Sequence, residues 1–187
     1  EYIEPNVSKY NEAEKQQAFE NDANKTVAIL LYEFATGEGE DVRTFTSLKE
    51  NSFARRFLEG RILREIQEDF YNDVRKYKLT YKDFQDNGIR VALEFSPDQT
   101  SSFIESAQKH IDSNLPQFFI GGANVKIIAT KDKEWVLVEI ENRTSRKSLM
   151  LHIGSNYERI NGIKTPLSTI KQRLIFKMRI DTNKFYK

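Results

Sequence analysis

The stretch IKQRLIFKMRI, Ile170 to Ile180, carries Leu174, Phe176, Met178 and Ile180 on one parity and Lys171, Arg173, Lys177 and Arg179 on the other. Successive side chains of a strand point to opposite faces, so this alternation predicts a strand with one face in a core and a basic ladder on the other. The same period extends through the second half of the chain. IRVALEF (residues 89–95) alternates, NVKIIAT (124–130) and EWVLVEIEN (134–142) are rich in β-branched residues, and SLMLHI (148–153) sets Leu149, Leu151 and Ile153 on one side.

Upstream the period changes. Tyr10, Phe19, Ala23, Val27, Leu30, Leu31 and Phe34 recur at steps of three and four, as an amphipathic helix requires, with a break near Asn21–Asn24 left open. SLKE (47–50) and SFIE (102–105) have the Ser-x-x-Glu spacing in which hydroxyl and carboxylate each satisfy a free backbone N–H, so both are expected to open helices. The first leads into a stripe of Phe53, Phe57, Leu58, Ile62, Ile66, Phe70 and Val74. Helices before about residue 80 and near 100–113, then strands over 88–96, 123–141, 148–154 and 168–181, predict an α+β fold. N-terminal helices would pack on a C-terminal antiparallel sheet in one domain, with residues 1–25 as a candidate peripheral arm.

Composition narrows the chemistry. The 187 residues are 39% hydrophobic and 30% charged, which suits one globular domain. No run approaches the about eighteen apolar residues of a membrane-spanning helix. The absence of cysteine excludes disulfides, thiolate nucleophiles and cysteine-ligated metals, and only His110 and His152 are present, too few for a multi-histidine metal site. Neither a phosphate loop nor a G-x-S-x-G elbow occurs, and no cofactor is indicated. The aromatics sit at core periods, so a stacking platform for nucleic acid is not indicated.

The net charge is +1, but residues 1–50 hold eleven acids against five bases and residues 143–187 eleven bases against two acids. A basic end can hold phosphate, an anionic membrane surface or an acidic partner, or it can neutralise the acidic end across the fold. On the first of these readings Lys171, Arg173, Lys177 and Arg179 are the anion- or partner-binding residues. The opening residues are acidic and polar, unlike a signal peptide, and the chain begins without methionine, which suggests a piece of a longer protein.

Glu33 to Phe45, EFATGEGEDVRTF, is the most unusual segment. Gly37 suits the left-handed residue that ends helices. Glu38, Glu40 and Asp41 crowd a helix C-terminus, where negative charge is unfavourable, so a compensating partner is expected: a cation, a basic group from the C-terminal strands, or a substrate. Glu38, Glu40, Asp41 and Arg43 are therefore candidate catalytic groups. His152, a residue able to move a proton near neutrality, and Tyr157 are candidates for the opposite wall of a cleft.

Four segments taken together, EFATGEGEDVRTF, PQFFIGGANVKI, ENRTSRKSLMLHI and TPLSTIKQRLIFKMRI, resemble in order and spacing the C-terminal toxin domains of bacterial polymorphic toxins, such as those attached to Rhs-type carriers or delivered by contact-dependent and type VI secretion. Such domains share a G-x-G loop followed by an arginine and an aromatic residue, a glycine-led strand, an Asn-x-Thr-Ser turn followed by a serine, and a closing strand containing glutamine. This chain departs from the pattern at Glu40, Gly122 and Lys177. The resemblance implies an antibacterial effector delivered into a target bacterium as part of a larger secreted protein and neutralised by a cognate immunity protein, with no particular reaction attached. The alternatives are a non-enzymatic module that binds membrane or phosphate through the basic strand face, and a non-toxic interaction domain.

Overall fold

A computed structural model describes residues 12–46, 51–59, 62–94, 115–120, 122–145, 159 and 164–187. Its elements in chain order are α1 (Glu12–Thr36), β1 (Val42–Phe45), α2 (Ser52–Leu58), α3 (Ile62–Lys76), α4 (Tyr81–Asn87), β2 (Ile89–Glu94), α5 (Leu115–Ile120), β3 (Gly122–Ala129), β4 (Trp135–Thr144) and β5 (Ile170–Arg179), followed by a 3₁₀ turn at Thr182–Lys184. The arrangement is α+β, with α1 to α4 in the N-terminal half and the long strands β3 to β5 in the C-terminal half.

The strands form one sheet in the order β1-β5-β4-β3-β2. Every neighbouring pair is antiparallel except β1 and β5, which run parallel in the register Val42↔Lys171 to Phe45↔Leu174. The expected antiparallel sheet thus acquires a parallel edge strand from the helical half. VRTF is too short to show an alternation of its own, and its pairing depends on a partner far along the chain.

The inward face of the sheet follows the parity read from the sequence. Leu174, Phe176 and Met178 of β5, Val136, Val138 and Ile140 of β4, and Val125 and Ile127 of β3 are buried in one cluster with the helix stripes. The stripe from Phe53 to Val74 is divided between two helices, α2 and α3, and Phe53, Phe57, Ile62, Ile66, Phe70 and Val74 are all fully buried. Burial of side chains of this size stabilises by roughly 1.5–3 kcal/mol each. Phe70 meets Phe84 edge-on with ring centroids 5.3 Å apart, tying α3 to α4. Helix α1 runs through Asn21–Asn24 without a break, and its buried stripe is Ala23, Val27, Leu30 and Phe34.

The cap of α2 is Asn51, whose side chain accepts from the Ala54 N–H at 2.9 Å. SLKE and SFIE, the 100–113 helix and the 148–154 strand lie outside the described residues. A capping box does open α4: Thr80 accepts from the Asp83 N–H while the Asp83 carboxylate accepts from the Thr80 N–H at 2.9 Å. The Thr80 hydroxyl, followed by its backbone N–H, holds the Asp83 carboxyl below its ordinary value. A depressed carboxylate pKa stabilises the fold above the unfolded-state value and loses that contribution as pH falls through the folded one. The stability difference between wild type and Asp83→Asn is therefore expected to shrink as pH falls from neutrality through the carboxylate range, measured by urea titration at a series of pH values. A difference constant with pH would refute the assignment.

Candidate functional site

The glycine loop ends α1 and starts β1, and both glycines are required. Gly37 has φ 78° and Gly39 φ 74°, in the left-handed region. A Cβ on Gly37 would lie 2.4 Å from the carbonyl carbon of Thr165, and one on Gly39 would lie 2.4 Å from the Glu33 carboxyl carbon. The loop therefore passes with no spare room between the residues leading into β5 and the last turns of α1.

Arg159 holds that passage. Its side chain is only 2% exposed. Nε donates to Ser168 Oγ at 2.9 Å, Nη2 to the carbonyls of Glu38 at 2.9 Å and Glu33 at 3.3 Å, and Nη1 to the Gly39 carbonyl at 3.4 Å and to Asp41 Oδ1 at 3.3 Å. Lys164 Nζ donates to the same Gly39 carbonyl. A buried cation thus sits where α1 leaves its carbonyls unpaired, and it offsets the negative end of the helix. It supplies a cationic partner for Asp41. Leu167 N–H donates to the Phe34 carbonyl at 2.8 Å and Lys171 N–H to the Asp41 carbonyl at 2.9 Å, which sets the start of β5 against the loop.

Of the residues marked out in the sequence, Glu38, Glu40 and Asp41 are exposed, and Asp41 alone of the three ion-pairs with Arg159. Arg43 turns inward and pairs with Glu33, a carboxylate that is only 8% exposed on the buried side of α1. His152 and Tyr157 lie outside the described residues. The basic ladder is interleaved with acids from β4: Arg173 pairs with Glu139 at 2.8 Å and Glu141 at 3.4 Å, and Arg179 with Glu134 at 2.9 Å. Half of the four cations are thereby already neutralised.

The sheet also builds a polar row on its inward face, of which the sequence reading identified only Arg43. Arg43, Gln172 and Asn142 are register partners on β1, β5 and β4. Gln172 is fully buried; its Oε1 accepts from Asn142 Nδ2 at 2.6 Å and Thr144 Oγ1 at 3.1 Å, and its buried Nε2 has no hydrogen-bond partner among the described residues. Exposure rises from Gln172 to the Arg43 side chain, which is 30% exposed, so the row meets the surface beside β1. A signal for it was present in the sequence. Gln172 shares the parity of Leu174 and Phe176, Asn142 shares that of Ile140, and Glu33 falls within the apolar arc of α1. Polar residues at inward positions are the informative exceptions.

Chemically the row sets an ion-paired carboxylate and guanidinium, Glu33 and Arg43, beside buried amides, and guanidinium and amide N–H groups are donors of the kind that steady a developing anion. Among the described residues, no group of three or more His, Asp or Glu is placed to hold a metal ion, and no helix is long and apolar enough to cross a membrane. No family model, curated protein or solved structure matches the chain.

Proposed function

We propose that the chain is an antibacterial effector domain acting in interbacterial competition, with the row Glu33, Arg43, Gln172, Asn142 and Thr144 as its working centre. The observation that carries this reading is the convergence of separated motifs. The arginine after the G-x-G loop, the Asn and Thr of NRTS at the end of β4 and the glutamine of the closing strand come from three of the four segments that resemble polymorphic toxin domains, and they stand side by side on one face of the sheet. A core needs only apolar residues at such positions, and a buried amide with an uncommitted N–H is a cost to stability unless it serves another purpose.

The exposed acids take a different part. Glu38 and Glu40 present carboxylates to solvent while their loop is held by Arg159 and Lys164, which makes them surface features of a structural clasp. The alternative of a membrane- or phosphate-binding strand face is weakened by the pairing of Arg173 and Arg179 with β4 acids.

The test is expression of the chain in the cytoplasm and, separately, the periplasm of a test bacterium, with and without the product of the adjacent open reading frame. Colony counts are expected to fall in one compartment and to recover when the adjacent product, the cognate immunity protein on this reading, is supplied. Unchanged growth in both compartments overturns the proposal.

A further inference from the structure

Helix α1 is apolar on more than its buried side. Leu31 is 40% and Tyr32 58% exposed, and Ala28 and Ala35 are exposed on the same arc, so the four form a stripe with the i, i+3, i+4, i+7 spacing of a helix-docking face. None of the four belongs to the buried stripe, which is complete without them. Solvent-facing helix positions are ordinarily polar, and this stretch of about two turns is not.

The stripe is also symmetrical about its middle. Two-fold rotation about a point between Leu31 and Tyr32 brings Ala28 against Ala35 and Leu31 against Tyr32, with small residues at both ends to let two helices approach and large ones in the centre. The charges beside it are ordered in the same sense. Lys25 is exposed before the stripe and Glu38 exposed after it, so an antiparallel crossing places each lysine toward the acidic loop of the other chain. A parallel crossing would set like charges and like helix ends together.

We infer that this face of α1 is an isologous interface for a second copy of this chain, the two α1 helices crossing antiparallel about a two-fold axis between Leu31 and Tyr32. The inference stands independently of the proposed toxicity. Ala28 to Ala35 spans only about 10 Å of helix axis, enough for the centre of a small interface, so the dimer is expected to be weak, with a Kd of roughly 10–100 μM.

Sedimentation equilibrium over a concentration series that crosses this range tests it. The mass is expected to rise from one chain to two in the wild type and to stay at one chain in Leu31→Glu and in Tyr32→Glu. Both side chains are already well exposed, so thermal unfolding should show the fold intact. Lys25→Glu alone and Glu38→Lys alone are expected to weaken the dimer about threefold to tenfold, and the double exchange to restore it. A single-chain mass throughout the wild-type series overturns the inference and leaves the stripe to a different partner. A dimer indifferent to Leu31→Glu overturns it equally.

Discussion

Arg159→Ala is expected to lower the stability of the protein by about 3–5 kcal/mol, more than any exposed-charge substitution in the chain. The side chain is buried, and its three nitrogens divide among a serine hydroxyl, the Glu33 carbonyl in the last turn of α1, the Glu38 and Gly39 carbonyls of the loop and the Asp41 carboxylate. Alanine leaves the Glu33 and Glu38 carbonyls without this donor in a loop that runs so close to Thr165 and Glu33 that neither glycine has room for a Cβ. Lysine should recover only part of the loss, because one ammonium cannot fan out to carbonyls on separate sides as a guanidinium does. Urea unfolding measures the effect, and with a chain of this length the melting temperature should drop by about 6–20 °C. A loss smaller than about 1 kcal/mol would show that Lys164 and the backbone hydrogen bonds suffice to hold the loop.

The largest functional effect is expected from the triple replacement Asn142→Leu, Gln172→Leu and Thr144→Val, which removes every member of the hydrogen-bonded set around Gln172 and keeps its volume. Removing all partners together avoids orphaned groups, so stability should change by less than about 2 kcal/mol, whereas each single replacement strands a neighbour and costs about 1–3 kcal/mol. If the row is the working centre, killing should nevertheless fall by about a hundredfold or more in colony counts, the scale on which a lost donor to a developing charge is felt. Glu38→Gln and Glu40→Gln are the matched controls, expected to leave both stability and killing unchanged. Asp41→Asn breaks a half-exposed ion pair and should cost no more than about 1 kcal/mol. A triple variant that kills like wild type would make the row a polar part of the core, retained for its contribution to packing specificity.

The sheet was legible because its strands are long enough to show their parity. β4 and β5 each span ten residues, and their inward positions are apolar with few exceptions. Those exceptions, Asn142, Thr144 and Gln172, are the strand residues around which the row is built, and sorting positions only into core and ladder passes over them. Asp41 finds a cation in Arg159, but the crowding of acids after α1 could not identify it, because it lies about 120 residues further on and outside any regular element. Parity likewise shows which way Arg173 and Arg179 face but not what stands beside them, and the acids that neutralise them come from another strand, in a register that the sequence of β5 does not contain.

The parallel pairing of β1 with β5 also fixes when the protein can be finished. A chain emerging from the ribosome makes β1 early, but the strand that β1 pairs with follows roughly 130 residues later. The helices can gather at once, and β2, β3 and β4 can follow as antiparallel neighbours, yet Arg43 has no register partner until Gln172 has left the ribosome. Closing so long a loop is slow compared with local pairing. A chain made only as far as β4 therefore contains the glycine loop and the Asn142–Thr144 end of β4 but cannot assemble the row between them, which waits for β5.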